Sequence, residues 1–490
     1  MKKCTTRTFH ALIAELKGFE AMEIIAKGHS FEDAVRQVLQ LFFDINSGGC
    51  VLSEKRADEF YVKIQLCEKC AEERRSIPQN SDKRTLTDEL KKCVYTAAKK
   101  ISPVDTPWGI STGIRPSKTV RMMLEGGASE QEAEAFMKNE MWVSPEKAHL
   151  AAEVAQNERK ILSRRLKNGV SLYIGIPFCP TRCAYCSFIS QATKHNEKFI
   201  EPYVAALKKE ILTGAQLCAE YGFLPETVYF GGGTPTAIPA FLLKELIQTV
   251  KESFDMSNVK EFCVEAGRPD TFSDEMLHML KESGVNRISI NPQTMNQKTL
   301  ELIGRRHTVE QTIAAFEMAG KYNFSINADL IAGLPDESPE DFKNSLEKVN
   351  ALLPQAITVH TMYLKRAARL IGEFEKYRFV TGVNDMMRFA AEKMRQSGFL
   401  PYYMYKQRNT LGNLENVGFC LPGHEGIYNV YIMEEVQTVL AFGAGASTKL
   451  VKGDRIERVF NPKEAADYTN RIDEITERKI KGLEFLKMEG

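Results

Sequence analysis

The chain has 490 residues, of which 43% are hydrophobic and 26% charged, a profile that indicates an ordinary globular protein and excludes disorder or a collagen-like repeat. The 65 Lys and Arg residues nearly balance the 64 Asp and Glu residues, which excludes a global basic field for nucleic acid or an anionic membrane. No apolar run approaches the ~20 residues of a membrane span, and the charged N-terminal segment is unlike a secretory signal. These patterns predict a cytoplasmic protein.

Residues 1–165 are predicted to form an N-terminal accessory α/β domain. Helical periodicity covers residues 31–43, 85–100 and 129–139, and a strand-like pattern covers residues 59–64. The region contains neither an internal repeat nor a low-complexity segment.

The same region contains a Cys-x-x-Cys pair, Cys67 and Cys70. Together with Cys50 and Cys93, the pair has the four thiolates that a structural metal site uses. The flanking spacings lack the paired knuckles of zinc sites, and Cys-x-x-Cys also occurs on helices that bind no metal. We therefore favour the interpretation without a metal.

The total of 11 cysteines is an odd number, which argues against a disulfide framework in a reducing compartment. Most of them are interpreted as small buried hydrophobic residues, and this is the expectation for Cys4, Cys218 and Cys263. One group on a short loop departs from that interpretation.

Three cysteines follow directly after a predicted strand at residues 171–178. Cys179, Cys183 and Cys186 have the spacing C-x3-C-x2-C, and the Pro-Thr-Arg between the first two predicts a loop. Three thiolates on one loop can converge on one metal centre, and a [4Fe–4S] cluster held by three cysteines leaves one iron open to a small molecule. The alternatives are a zinc site completed from elsewhere in the chain and three structural cysteines. We favour the cluster because packed cores rarely place three cysteines on one such loop.

Strands and helices alternate between residues 166 and 380, which predicts a parallel sheet curled into a partial (β/α)6 barrel. The predicted strands are at residues 171–178, 227–230, 261–267, 287–293 and 356–360, and residues 323–335 are predicted to form a strand with its loop. The predicted helices are at residues 197–220, 273–283, 309–320 and 339–352. Residues 381–490 are predicted to form a C-terminal α+β domain, with a small-residue turn at 441–447 and a closing helix from 462 toward 487.

Polar or flexible residues stand at the C-terminal ends of these strands, the edge at which such barrels bind ligands. The second strand enters a turn at 231–236, whose three glycines let a ligand approach the backbone. Glu265, Gln293 and Asp329 stand at the ends of the next three strands. Each alone is consistent with a solvated loop residue, whereas three in register favour a ligand site.

The cysteine motif and the glycine turn resemble those of the radical S-adenosylmethionine (SAM) enzymes over residues 170–370. A narrower resemblance, to the oxygen-independent coproporphyrinogen III dehydrogenase family, rests on LYIGIPFCPTRCAYCSF, YFGGGTPT, the strand ending in Gln293, GRRH and DLIAGLP. The N-terminal DTPWG and TGIRP and the C-terminal GNLENVG resemble the HemZ-type branch of that family. The resemblance then covers nearly the whole chain.

The resemblance implies a [4Fe–4S] cluster and SAM as cofactors. In that family SAM chelates the open iron, and one electron from the cluster cleaves SAM to methionine and a 5′-deoxyadenosyl radical. Cys179, Cys183 and Cys186 would hold the cluster. Tyr173, the expected catalytic side chain, would lie near the sulfonium, and Tyr185 would pack on the adenine. Gly232, Gly233 and Thr234 would bind the methionine end of SAM through backbone groups, and Arg305 would pair with a SAM carboxylate. Gln293 and Asp329 would bind the ribose hydroxyls, and Glu265 would contact this or a second SAM molecule.

The sequence departs from the family pattern in two places. Gly175 stands where the strand commonly carries a His, and Phe188 stands where some members have a fourth Cys. Residues 407–409 do not reproduce the His-containing motif of heme-chaperone relatives, which disfavours a chaperone. His360 and His424 are alternative heme ligands, although each is more typical of a structural histidine.

The function that the resemblance implies is oxygen-independent oxidative decarboxylation of coproporphyrinogen III. The adenosyl radical would abstract a hydrogen from the β-carbon of a propionate, and loss of carbon dioxide, with transfer of one electron to an unidentified acceptor, would leave a vinyl group. Two such conversions would give protoporphyrinogen IX. Candidate cations for the substrate carboxylates are Arg182, Arg306, Lys365, Arg366 and Arg369.

Two other functions stay open at this point. One is a different radical reaction on a tetrapyrrole, such as methylation or ring opening of heme. The other is a heme-binding chaperone that keeps the cluster but transfers heme. For an enzyme, the expected partner is an electron donor such as flavodoxin or ferredoxin, with no nucleic acid and no membrane span.

Overall fold

The computed structural model describes residues 22–43, 48–104, 106–186, 191–363, 382–407 and 410–487. The chain divides into two compact units. The first comprises Met1–Pro116 with Met122–Ala152, and the second comprises Ser117–Arg121 with Glu153–Gly490. The three-domain division of the sequence, with boundaries near residues 165 and 380, stays a prediction.

The first unit is built around a small mixed sheet. The elements up to residue 162 are β1 (Glu23–Lys27), α1 (Glu32–Leu39), β2 (Cys50–Lys55), β3 (Glu59–Leu66), β4 (Lys69–Ser76), α2 (Lys83–Ile101), α3 (Pro116–Glu125), α4 (Glu130–Asn139) and α5 (Pro145–Leu162). The strands form a sheet in the order β1-β2-β3-β4, in which β1 and β2 are parallel and the later pairs antiparallel. The predicted strand and the three predicted helices of this region are confirmed as β3, α1, α2 and α4. Ser129 begins α4 with a capping box, in which its hydroxyl accepts from the backbone N–H of Glu132.

The Cys-x-x-Cys pair lies at the hairpin between β3 and β4, not on a helix. Cys67 occupies the turn with a φ of 47°, and both Cys67 and Cys70 are exposed. Cys50 and Cys93 are buried within the first unit. Desolvation on burial raises the pKa of the Cys50 thiol to about 11 and that of Cys93 to about 12, which keeps both thiols protonated at neutral pH.

The second unit contains the large sheet. Its elements from residue 169 are β5 (Gly169–Ile176), β6 (Phe178–Cys179), β7 (Gln191–Ala192), α6 (Thr193–Glu220), β8 (Leu224–Gly232), α7 (Ala240–Ser253), β9 (Glu261–Glu265), α8 (Asp274–Glu282), β10 (Arg287–Ser289), α9 (Gln297–Leu302), α10 (Val309–Gly320), β11 (Ser325–Ala332), α11 (Pro339–Ala351), β12 (Ala356–Thr361), α12 (Val383–Gln396), β13 (Leu400–Lys406), β14 (Glu415–Cys420), α13 (Ile427–Glu434), β15 (Thr438–Phe442), β16 (Ser447–Lys452), β17 (Arg455–Phe460), α14 (Ala465–Asn470) and α15 (Ile472–Leu483). Eleven of the described strands form one sheet, in the order β13-β14-β12-β11-β10-β9-β8-β5-β15-β16-β17. The α/β partial-barrel fold predicted from the sequence is confirmed.

The six predicted barrel strands correspond to β5 and β8 to β12, and neighbouring strands among them are parallel. Strand β5 is almost wholly buried, because helices cover a parallel sheet and leave little need for alternating polar residues. The predicted Ser273 cap is confirmed, since its hydroxyl accepts from the N–H of Met276. Gly284 follows α8 with a φ of 85°, a conformation that favours glycine. No helix in the described part of the chain is long and apolar enough to span a membrane.

Two predictions for the C-terminal region need correction. The small-residue turn predicted at 441–447 begins inside β15, and β15 pairs in parallel with β5, the first barrel strand. The predicted closing helix from 462 toward 487 is two helices, α14 and α15, separated at Arg471. Both differences arise from long-range packing that the local sequence pattern does not contain.

A buried carboxylate joins these C-terminal elements to the barrel. Glu210 on α6 accepts hydrogen bonds from the Gly443 N–H at 2.8 Å, Asn461 Nδ2 at 2.9 Å and the Tyr468 hydroxyl at 2.6 Å. It also forms an ion pair of 2.5 Å with Lys479 on α15. Both ionised side chains are fully buried, so each depends on its partners for the solvation it has lost. The network therefore fixes the turn after β15 against α6.

Candidate active site

The cysteine loop follows β5 and packs against the loop after α9. The Ala184 N–H donates to the Ile303 carbonyl at 2.9 Å, and the Thr181 hydroxyl donates to the Gly304 carbonyl at 3.2 Å. Cys183 is buried, whereas Cys179 and Cys186 are half-buried. The loop is thus held at its centre, where Cys183 lies.

The described residues contain no group of three His, Cys, Asp or Glu side chains that could hold a single metal ion. This finding gives no support to the zinc alternative. It is compatible with an iron–sulfur cluster, because each cysteine then binds a different iron and the thiols do not meet at one ion.

The glycine turn lies directly beside the cysteine loop. The sulfur of Cys179 is 3.4 Å from the Thr234 hydroxyl. The Gly233 N–H donates to the Ile176 carbonyl at 2.8 Å, and the Thr234 N–H donates to the Phe178 carbonyl at 2.7 Å. The fold itself uses these two donors, so they are not available to a carboxylate of SAM, whereas carbonyl oxygens in the turn could accept from its amino group.

Glu265 ends β9 inside the barrel, beside a stack of tyrosines. The Tyr229 hydroxyl donates to its carboxylate. The Tyr229 ring stacks on Tyr428 of α13 at 4.4 Å between centroids, and Tyr173 stacks on both rings at 6.3 Å. Burial and, to a smaller extent, the charge of Asp329 raise the pKa of Glu265 to about 7, against the hydrogen bond from Tyr229. A carboxyl with this pKa can take up or release a proton near neutral pH.

Strand β10 and the turn after it present a row of unsatisfied polar atoms. Ser289 ends β10, and Asn291 and Gln293 follow it at every second position in the turn. The Ser289 Oγ, Asn291 Oδ1 and Gln293 Oε1 are each buried without a hydrogen-bond partner among the described residues. Native structures rarely leave such atoms unpaired, so the row indicates a ligand-binding face. The sequence predicted Gln293 but missed the other two, which its own two-residue period could have revealed.

The backbone of Gln293 has a φ of 69°, the left-handed region that non-glycine residues seldom adopt. Its N–H donates to the Asp329 carbonyl at 2.9 Å, and its own carbonyl accepts from the Ile331 N–H at 3.0 Å. The next residue, Thr294, donates its hydroxyl to the buried carboxylate of Glu337. These contacts hold a conformation that costs about 1–3 kcal/mol, a form of strain that clusters at functional sites.

Asp329 lies next to Gln293, but it stands within β11, before the strand ends at Ala332, and not at the strand end that the sequence predicted. Its carboxylate accepts from Asn327 Nδ2 at 2.8 Å and lies 3.7 Å from His360 Nε2. The other ring nitrogen of His360 is 3.4 Å from the Tyr405 hydroxyl. The position of His360 between Asp329 and Tyr405 therefore favours a structural role, in which it orients Asp329, over a role as a heme ligand.

Arg305 is buried beside the cysteine loop. Its Nη1 donates to the Asn291 carbonyl, and its Nε has no partner among the described residues. The guanidinium also lies within hydrogen-bonding reach of Cys183 and Tyr185. Tyr185 packs against the buried cluster of Ile303, Ile331 and neighbouring apolar residues. The structure thus brings the predicted residues of the cysteine loop, β10 and the loop after α9 together.

Two of the five proposed substrate cations are described. Arg182 and Arg306 are exposed on the neighbouring loops. Several sequence-based assignments lie outside the described residues: Cys4, Asp105, Phe188, Lys365, Arg366, Arg369, Arg408 and Asn409. The structure therefore does not test the proposed contacts of Lys365, Arg366 and Arg369 with the substrate carboxylates.

Comparison with known proteins gives one family match and several relatives. The sequence model of the radical SAM superfamily matches residues 173–349. The chain is 42% identical over 386 residues to the oxygen-independent coproporphyrinogen-III oxidase-like protein HemZ of Bacillus subtilis (strain 168), covering 77% of each chain. It is 31% identical over 315 residues to the heme chaperone HemW of Lactococcus lactis, covering 62% of this chain and 76% of the relative.

The solved structure of coproporphyrinogen III oxidase (HemN) from Escherichia coli, described as a radical SAM enzyme, matches with a TM-score of 0.52. The identity is 25%, and the match covers 65% of this chain and 72% of that chain. The parallel strands and the cysteine loop at their C-terminal edge are thus the fold and site of a radical SAM protein. The chain belongs to the oxygen-independent coproporphyrinogen III dehydrogenase family, in its HemZ-type branch, as the sequence motifs predicted.

The residues present fit the cofactors of that superfamily. A cluster with cysteine ligands carries net negative charge, and the buried guanidinium of Arg305 lies beside Cys183. The unpaired oxygens of β10 and its turn supply hydrogen-bond acceptors for hydroxyl or amino groups of a bound molecule. Both features are explained by a site that holds the cluster and SAM.

Proposed function

We propose that Cys179, Cys183 and Cys186 hold a [4Fe–4S] cluster and that the face formed by β8 to β11 binds SAM. When bound, these cofactors supply a 5′-deoxyadenosyl radical that abstracts hydrogen from the substrate. The chain's own residues orient the reactants and exclude water. The observation that carries the proposal is the juxtaposition of the cysteine loop with the unpaired polar row of Ser289, Asn291 and Gln293.

Within this site we propose individual roles for the remaining residues. Gln293 and Asp329 bind the ribose hydroxyls, and Arg305 binds a carboxylate of SAM or orients the cysteine loop. The carbonyl oxygens of Gly232, Gly233 and Thr234 accept hydrogen bonds from the amino group of SAM. Tyr173 lies near the sulfonium, and Tyr185 packs on the adenine. Glu265, whose pKa of about 7 reflects burial first, exchanges a proton with the ligand it contacts.

The reaction that we propose is conversion of two propionates of coproporphyrinogen III to vinyl groups. Support comes from the names of the relatives, since both the HemZ protein and the HemN structure are described as coproporphyrinogen-III oxidases or as like them. An electron donor such as flavodoxin or ferredoxin is the expected partner. The ten cysteines among the described residues form no disulfide with one another, which fits the reducing cytoplasm as the place of action.

A second candidate is heme transfer, which the 31% identity to a heme chaperone favours. A chaperone would bind heme stoichiometrically without turnover, whereas an enzyme acting on heme would consume it. The two enzyme hypotheses and the chaperone hypothesis therefore differ in product and not in cofactor.

The test is anaerobic reconstitution, reduction, and incubation with SAM and coproporphyrinogen III, followed by mass spectrometry. Vinyl products with 5′-deoxyadenosine support the dehydrogenase. Deoxyadenosine without porphyrinogen turnover overturns that substrate and directs the assay to heme. A stable heme complex without deoxyadenosine supports the chaperone.

The cluster assignment has its own pair of variants. Cys183→Ala is expected to abolish SAM cleavage, because the cluster loses one of its three ligands. Cys218→Ala, which changes a buried cysteine on α6 away from the site, is the matched control and retains cleavage. Cleavage retained by Cys183→Ala would exclude the radical mechanism.

A further inference from the structure

Arg268 lies on the loop after β9, outside every motif singled out in the sequence. Its side chain is 3% exposed. Its Nε and Nη2 donate to the two carboxylate oxygens of Asp270, each at 2.9 Å, in the planar two-point geometry that a guanidinium favours. These two hydrogen bonds hold the Arg268 guanidinium in one orientation, in which Nη1 does not contact Asp270.

That remaining nitrogen is directed at the cysteine loop. Nη1 of Arg268 donates to the Thr181 hydroxyl at 3.1 Å and lies 3.8 Å from the sulfur of Cys183, within the range of a hydrogen bond to sulfur. Cys183 is thereby flanked by two guanidiniums, since Arg305 is also within its reach. Of the two, Arg268 alone has a carboxylate as a fixed partner among the described contacts.

The charge around Cys183 is not balanced by the protein. The titratable groups that face Arg268 are Asp270, Cys183 and His307. Burial, followed by the charges of Arg305 and Arg268, lowers the pKa of His307 to about 3, so that its ring is neutral at physiological pH. Two buried cations therefore face one carboxylate, and the excess positive charge lies beside the thiol.

We propose that Arg268 is a positioning residue that orients Cys183 and raises the reduction potential of the iron–sulfur cluster bound there. The inference rests on the cluster proposed above. Reduction adds one negative charge to the cluster, and a fixed cation with an N–H donor at a ligand sulfur stabilises that added charge. Asp270 opposes this effect with its own charge while it holds the guanidinium in place.

The test is a redox titration of the reconstituted protein, with the reduced cluster followed by electron paramagnetic resonance. Arg268→Gln removes the charge and lowers the midpoint potential. At the wild-type midpoint we expect the ratio of reduced to oxidised cluster to fall about tenfold, which corresponds to about 59 mV for one electron. Arg268→Lys keeps the charge and restores most of the shift.

Asp270→Asn is expected to shift the midpoint potential of the cluster in the opposite direction. It removes the compensating carboxylate and leaves Arg268 charged, so the midpoint potential rises. Damage to packing alone does not produce shifts of opposite sign from two neighbouring residues. Arg388→Gln, on the exposed face of α12, is the control and leaves the potential unchanged.

Two results would overturn the proposal. One is an Arg268→Gln protein with full iron content and an unshifted potential. If that variant does not retain iron, Asp270→Asn decides, and an unchanged or lower potential contradicts the assignment. A wild-type protein without iron or a resonance signal would instead contradict the proposed cluster, so the two failures are distinguishable.

Discussion

Replacing Glu265 with Gln is expected to stabilise the protein above neutral pH. Burial raises the pKa of this carboxyl from 4.5 to about 7, against the hydrogen bond from Tyr229. In the unfolded chain the group ionises near 4.5, so folding carries a penalty that grows as the pH rises from about 4.5 through about 7. At 1.36 kcal/mol per pKa unit, the full penalty is about 3 kcal/mol.

Gln has nearly the shape of the protonated acid and carries no charge, so the variant avoids this penalty. The free energy of unfolding should increase by about 3 kcal/mol near pH 8 and by only about 1 kcal/mol near pH 5. Urea denaturation of the reconstituted protein under anaerobic conditions, followed by circular dichroism, measures both values. The exposed Glu392 on α12 provides the control Glu392→Gln, for which we expect no pH-dependent gain.

The reasoning fails if Glu265→Gln gains the same stability at both pH values or loses stability near pH 8. Either result would mean that the carboxyl is ionised at little cost inside the barrel. A confirmed gain would identify Glu265 as a residue kept for its chemistry at the expense of stability.

Two further variants test packing near the site. Gly233→Ala would place a methyl group 2.5 Å from the Phe178 carbonyl oxygen, so we expect a loss of about 1–3 kcal/mol and weaker SAM binding, measurable by denaturation and calorimetry; unchanged SAM affinity would separate this turn from the ligand. Glu210→Ala leaves Lys479 buried without its counter-charge and should cost about 3–5 kcal/mol; a loss below about 1 kcal/mol in urea would show that water reaches the network.

The sequence predicted the barrel well because its signal is local and repeated. The barrel strands β8, β9 and β11 are largely apolar runs, each followed by a helix, and some of these helices begin at readable caps such as Ser273. The strand β4, with the sequence KCAEERRS, could not be predicted because it is an edge strand whose charged residues are exposed or half-buried. Its pairing with β3 decides the structure, and no local pattern records that pairing.

Part of the candidate site could also be predicted from local sequence motifs, and part could not. The cysteines, the glycines and Gln293 belong to motifs and were predicted, whereas Tyr428 and Arg268 were not. Tyr428 enters the barrel from α13, nearly 200 residues after Tyr229, the ring on which it stacks. Arg268 is one arginine among many in the sequence, and only its contacts with Asp270 and Cys183 distinguish it. Spacing reveals ligands on one loop, but not side chains that meet across a sheet.

The pairing of β15 with β5 also has a consequence for biosynthesis. Strand β5 ends at Ile176, and its second neighbour begins at Thr438, so the ribosome must add about 260 residues before that edge is covered. At roughly 5–20 residues per second, this interval lasts about 13–52 s. During that time an apolar strand beside the cysteine loop has one open side, which is the kind of edge that recruits other chains. The nascent protein is therefore expected to depend on chaperones until its last strands emerge.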